Sequence, residues 1–289
     1  MPNPTEINSP ANTYSVLGTL SLLTPWDVVG CGKIRIGGET DGGYVLLDRL
    51  RPEQPVLSYG VGPDSSFDLD LAKRGHRVFM FDHTVHGPRG GVPQGCAFFR
   101  EGVAATPDPA NRLDTVAAHL HRLGLEGRRD VILKMDIEGG EWAIMAEMPD
   151  EAFDCFEQIV LEFHWLEALE RESFTARARA ALLRLNARFT LCHVHANAWG
   201  ELKMVAGVIL PNVIEVTYVR SELVSRTPSR TVYPTEHDRS NKPSTKDIVL
   251  SMYPFLPMAV PPSAFVPLAR RLDAEHAATL AAQAPTPEG

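Results

Sequence analysis

VILKMDIEGGEW, residues Val131 to Trp142, is the stretch whose reading decides the fold. A short apolar run that stops abruptly at Asp136 is the pattern of a parallel strand buried on both faces, with polar groups carried at its carboxyl end. Open α/β sheets bind ligands in the crevice at such ends. If the chain stays extended, Asp136 and Glu138 project to the same side, because strand side chains alternate with a period of two. Gly139 and Gly140 allow a sharp turn, and a helix then runs from Glu141 to Met148 until Pro149 and Asp150 stop it.

Working outward, the same strand, turn and acid pattern recurs. PVLSYGVGPDSSFDLDLAK, Pro55 to Lys73, reads as a strand over Val56–Tyr59, a turn at Gly60 and Gly62, and a helix capped by Asp64 or Ser65. A glycine turn leading into a helix aims backbone N–H groups and the positive helix end at a ligand. GVGPDS has only part of the dinucleotide fingerprint, but RVFMFD, Arg77 to Asp82, adds an acid at a strand tip about twenty residues on. A turn role for Asp82 stays open. Further strands are expected within Cys96–Val103, Gln158–Phe163, Phe189–His195 and Val213–Val219. Helices are expected over the stripes Leu113–Leu123 and Phe174–Leu185, with Arg177, Arg179 and Arg184 on solvent. Lys33–Leu47, KIRIGGETDGGYVLL, reads as a hairpin whose glycines and Asp41 form the loop. With no helix between the last two strands, they should pair antiparallel. The fold class is therefore α/β, a doubly wound, mostly parallel sheet of about seven strands with an antiparallel final strand.

At 289 residues with net charge −8 and no block of basic residues, the chain suits one α/β domain with appendages and disfavours a nucleic-acid partner. Cys31, Cys96, Cys155 and Cys192 are scattered, which points to reduced thiols. The opening MPNPTEINSP lacks signal-peptide character, and no run approaches the roughly 18 apolar residues of a membrane span. A cytoplasmic protein without a membrane partner is expected. The organisation expected is an arm and capping helix over residues 1–32, with the arm at Asn3–Asn12 and the helix at Tyr14–Leu23. A catalytic domain follows over 33–220 and an extension over 221–289. In that extension Ser221–Lys246 forms a lid or loop, Ala269–Ala282 a short helix, and APTPEG a disordered tail.

RIGGETDGGYVLL, SYGVGPDSSFD, FMFDHT, LKMDIEGGEW, LEFHW, HVHANAW and VIEVTYVR together resemble the FkbM-like methyltransferases and their methyltransferase-like protein 24 relatives, over about Ile34 to Arg220. The resemblance implies a class I S-adenosylmethionine-dependent enzyme. It implies that Gly60, Gly62 and Asp64 surround the methionine and ribose part of the cofactor, that Asp82 sits near the ribose hydroxyls, and that Asp136 closes the crevice below the sulfonium. Asp41, Gly42, Gly43 and Tyr44 would line the same mouth. Ser58 stands where many such enzymes carry an acid, so Asp64 or Asp41 is the replacement partner for the cofactor's amino group.

Methyl transfer asks the enzyme mainly to align acceptor and methyl. A hydroxyl acceptor must also lose a proton, and Glu162, His164 and His195 are the titratable candidates, with the imidazoles first because their ordinary pKa lies near neutrality. Asp136, Glu138 and Glu162 are alternatively candidate ligands for a divalent cation. Glu138 and Glu141 also have a plain reading as acids at a helix's positive end. The function expected is that of an O-methyltransferase acting on a small molecule or sugar hydroxyl. Its rivals are a metal-dependent glycosyltransferase using Asp136-x-Glu138 and a non-catalytic cofactor-binding module.

Overall fold

The computed structural model describes residues 10–258, 263 and 265–283. Its centre is a seven-stranded sheet. In chain order the strands are β1 (Pro55–Tyr59), β2 (Arg77–Phe81), β3 (Cys96–Phe99), β4 (Val131–Met135), β5 (Phe156–Phe163), β6 (Phe189–Ala196) and β7 (Ile214–Arg220). Their spatial order is β3-β2-β1-β4-β5-β7-β6, with every pairing parallel except those of β7, which runs antiparallel to both β5 and β6. The order reverses between β1 and β4, so the switch-point crevice opens where the Gly60 turn and Asp136 leave adjacent strands. β1, β4, β5, β6 and β7 are buried along their whole length, as strands covered on both faces must be.

The two faces are covered differently. On one, Leu57, Leu133, Ile159 and Leu161 join the main core with α2 (Val116–Arg122), α3 (Glu141–Glu147) and α4 (Glu172–Arg188), and Trp142 stacks on Phe163 with ring centroids 3.9 Å apart. On the other, Val56, Met80, Ile132 and Val160 pack against α1 (Ser66–Lys73) and a hairpin, Lys33–Gly37 paired with Gly43–Leu47. The hairpin occupies space where an α/β fold ordinarily places a helix. Its final strand is clamped by Gln158, which accepts from Leu47 N at 2.9 Å and donates to Leu47 O at 3.1 Å.

Several expectations shift at their edges. The first helix spans Pro10–Leu20 with a 3-10 turn over Ser21–Leu23, so it starts inside the stretch expected as an arm. Residues 3–9 of that arm and the APTPEG tail lie outside the described residues. Leu113 is not helical: Leu113–Asp114 pairs with Gly102–Val103 in a short parallel ribbon, and the helix starts only at Val116, capped by Thr115. A small hairpin, Leu202–Val205 with Val208–Pro211, sits in the helix-free connection between β6 and β7. Beyond β7 the described residues include further regular elements. Ser225–Pro228 pairs with Trp26–Val29, and a helix spans Phe265–Gln283. None of the described helices is long and apolar enough to cross a membrane.

Candidate active site

The carboxyl ends of β1, β2 and β4 meet at one cavity of about 650 Å³, lined by Asp41, Tyr44, Gly60, Gly62, Asp64, Asp82 and Asp136 among others. At Gly60 the chain turns with φ of +78°, and an added Cβ would collide with the Asp136 carbonyl. Only glycine lets β1 leave the sheet this close to β4. Lys134 supports the turn from beneath: its buried ammonium donates to Gly60 O at 2.6 Å and Tyr59 O at 3.3 Å.

Asp82 organises the second strand tip. Its Oδ2 accepts from Gly62 N at 3.0 Å, while Oδ1 accepts from Thr84 N (2.7 Å), Thr84 Oγ1 (2.6 Å) and Val85 N (3.3 Å). Burial raises its pKa, but the bonds from Thr84, Gly62 and Val85 outweigh burial and hold the carboxyl below its ordinary value. The turn role does not exhaust the carboxylate, because Oδ2 has acceptor capacity left.

The hairpin tip closes the third side. Ser66 Oγ donates to Gly42 O at 2.9 Å and accepts from Gly38 N at 2.8 Å, and Asp64 Oδ1 accepts from Ser66 N at 2.9 Å. Tyr44 donates to Asp136 Oδ2 at 2.9 Å. Gly43 does not line the cavity; an added Cβ there would strike Gly38 O and the Arg35 guanidinium, so its role is to let the hairpin close.

Asp136 and Glu138 do converge, though not by strand alternation. Glu138 has φ of +61°, so the chain is no longer extended, and the turn brings both carboxylates toward His164. His164 Nε2 lies 3.9 Å from Asp136 Oδ1, 3.4 Å from Glu138 Oε2 and 3.8 Å from Glu162 Oε1. Burial lowers the His164 pKa, but Glu141, Asp136 and Glu138 outweigh it and raise it above its ordinary value. Glu141 is wholly buried and takes the Ile137 N–H at 2.8 Å, a bond that secures the turn at the start of α3.

Glu162 and His195 sit differently from the expectation for a proton acceptor. Glu162 accepts from Asn197 Nδ2 at 2.6 Å behind the cavity, and burial followed by the charges of Asp136 and Glu215 pushes its carboxyl well above the usual range. His195 is walled off. Its Nδ1 is 3.0 Å from Glu215 Oε2 and its Nε2 2.9 Å from Asp247 Oδ1, and the residue is 1% exposed. Burial opposes its charge, yet Asp247 and Glu215 prevail and raise its pKa well above 6.5. With both ring nitrogens engaged by carboxylates, it offers no free nitrogen to an acceptor. His193 is paired with Asp238 at 2.8 Å and Lys33 at 3.3 Å, a buried structural contact.

Two features of the cavity go beyond the sequence reading. Val103, Ala104, Ala105 and Leu113 form an apolar wall, assembled by the short Gly102–Val103/Leu113–Asp114 ribbon. Asp68, in the first turn of α1, lines the cavity while 3% exposed, and its Oδ1 has no hydrogen-bond partner. Its signal in the sequence was an acid interrupting the apolar face of FDLDLAK.

Sheet order, the antiparallel β7 and the crevice at the β1/β4 switch define a Rossmann-like fold of the class I methyltransferase type. No protein-family model and no curated protein sequence matches the chain. Among solved structures it is similar to a precorrin-6y C5,15-methyltransferase from Geobacter metallireducens GS-15, at 12% identity and a TM-score of 0.29, covering 60% of this chain and 84% of that one. It is also similar to a putative hemolysin from Streptococcus thermophilus (9%, TM-score 0.30, 70% and 75% covered). A third is a 16S rRNA (adenine(1408)-N(1))-methyltransferase mutant from Catenulisporales acidiphilia (12%, TM-score 0.30, 67% and 99% covered). Likenesses this distant carry no argument about activity or substrate.

Proposed function

We propose that the protein is an S-adenosylmethionine-dependent methyltransferase of the FkbM-like kind, acting on a hydroxyl of a small molecule or sugar. The observation that carries this reading is the graded chemistry of one cavity. An apolar wall at Val103–Ala105 and Leu113 suits a purine, and the Asp82 carboxylate with spare acceptor capacity suits ribose hydroxyls. The Asp68 carboxyl, with Oδ1 unpartnered and lining the same cavity as Gly60 and Gly62, suits an ammonium group. Asp68 thus stands in for the acid that Ser58 lacks, and Asp64 and Asp41 line the same cavity. The cofactor, when bound, supplies an electrophilic methyl. The chain's own residues hold its two ends, exclude water, and present the Asp136, Glu138 and His164 corner to the acceptor.

Calorimetry tests both ends separately. S-adenosylhomocysteine should bind the wild type, and Asp82→Ala and Asp68→Asn should each weaken it by about tenfold or more, the scale of a hydrogen bond to a charged group. Methylthioadenosine, which lacks the amino acid end, should be weakened by Asp82→Ala but not by Asp68→Asn. Absence of binding at millimolar ligand, or Asp82→Ala indistinguishable from wild type, would overturn the reading.

A further inference from the structure

We propose that Asp136, Glu138 and His164 form a divalent-cation site at the rim of the crevice. Asp136 Oδ1, Glu138 Oε2 and His164 Nε2 all lie within 4.8 Å of one another. The separations from Nε2, 3.4 and 3.9 Å, exceed a charge-assisted hydrogen bond. They instead resemble distances between ligands around one ion, which are about 3 Å for neighbours and about 4 Å for opposites when each bond is about 2.1 Å.

The second observation is His164 itself. The ring is 6% exposed, Nδ1 has no hydrogen-bond partner, and Nε2 points at the two carboxylate oxygens without a hydrogen bond between them. Nδ1 lies 3.3 Å from Glu141 Oε1, and Glu141 Oε2 is likewise unpartnered. An ion on Nε2 would fix the proton on Nδ1 facing Glu141, the carboxylate–histidine–metal relay in which an outer acid orients the ligand ring. On the other side Asp136 Oδ2 is taken by Tyr44 and lies 3.7 Å from Lys134 Nζ, leaving Oδ1 for the site. The Lys134 ammonium, which donates to the Gly60 and Tyr59 carbonyls, opposes a cation, and the two carboxylates of Asp136 and Glu138 outnumber it. The Glu138 side chain is 85% exposed and is free to close on an ion.

His164 therefore takes the place that Glu162 held among the expected ligands, since Glu162 is tied to Asn197. Two carboxylates and one imidazole with remaining positions open suit a Mn²⁺-type ion. In what the ion would do, the inference rests on the proposed methyl transfer: an acceptor hydroxyl on an open position would be acidified. Its binding test is independent of that reading.

The experiment is titration of Mn²⁺ alone into the full chain, followed by electron paramagnetic resonance, without cofactor. One ion per chain is expected, with spin-echo modulation from one imidazole nitrogen. Glu138→Gln, an exposed change that leaves metal-free melting unaltered, should weaken binding about tenfold or more. His164→Asn should abolish the nitrogen modulation. No stoichiometric binding up to about 1 mM Mn²⁺, on the scale of the weakest cation sites, would overturn the proposal. So would binding unaffected by Glu138→Gln, or nitrogen modulation that survives His164→Asn. Failure here with S-adenosylhomocysteine still bound would leave the methyltransferase reading standing.

Discussion

Histidine environments separate sharply at the scale of single residues. His119 is fully buried, 3.0 Å from the Tyr59 hydroxyl and stacked on Phe81 at 4.3 Å. Burial, reinforced by Arg122, pulls its pKa down to about 4. The folded state then binds fewer protons than the unfolded chain, so the contribution is present in full above pH 6.5. It is lost as pH falls toward 4, by up to about 3 kcal/mol. His193, lowered to about 4 by burial, acts in the same direction. Urea midpoints measured from pH 7 to 4.5 should fall for the wild type and fall less steeply for His119→Phe, which keeps the ring stack without the titrating nitrogen. An unchanged slope would refute the assignment. Gly60, Asp82 and Asp136 were legible in the sequence, because an apolar run ending in glycine or acid is a local signal. The support given by Lys134 was not, and Asp68 left only the trace of an acid within an apolar helix face, with nothing to say that it meets the cavity. Both depend on which way a side chain points once β1 and β4 are adjacent.

Hairpin docking is the critical contact at the scale of elements. A strand lying across a sheet face cannot join its ladder, so the backbone groups it buries need side-chain partners. Gln158 supplies both for Leu47, and Thr217 Oγ1 donates to Val45 O at 2.5 Å. Gln158→Leu keeps the volume and strands the Leu47 N–H and C=O, so a loss of about 2–4 kcal/mol is expected by denaturant unfolding. A loss below about 0.5 kcal/mol would show that water replaces the amide. Because this hairpin carries Asp41, Gly42 and Tyr44 to the cavity, the same variant should also weaken S-adenosylhomocysteine.

For the whole molecule, the segment after β7 is tied down by buried charge. His195 bridges Glu215 on β7 to Asp247, Asp238 holds His193, and Asn241 Nδ2 donates to Glu215 at 2.5 Å and to Asp41 at 3.1 Å. Removing the His195 cation leaves two carboxylates buried without their partner, a loss of about 3–5 kcal/mol. His195→Asn should therefore speed amide exchange across residues 235–250 far more than across β4. Since the imidazolium is favoured in the fold, its contribution is present below pH 6.5 and is lost as pH rises through the raised folded value, so alkaline pH should loosen the same segment. Uniform exchange across the chain in the variant would argue against a local tie.

What the sequence alone determined was the alternation of buried strands and helices, the antiparallel ending, and the acids and glycines at three strand tips. These follow from periodicity and turn chemistry within a few neighbouring residues. Tertiary structure decided which candidates share a cavity. It drew Leu113 out of its expected helix into the wall, set His164 beside Asp136 and Glu138, and sealed His195 between Glu215 and Asp247. Those outcomes rest on pairings between segments far apart in the chain, and no local pattern of side chains encodes which distant carboxylate a buried imidazole will meet.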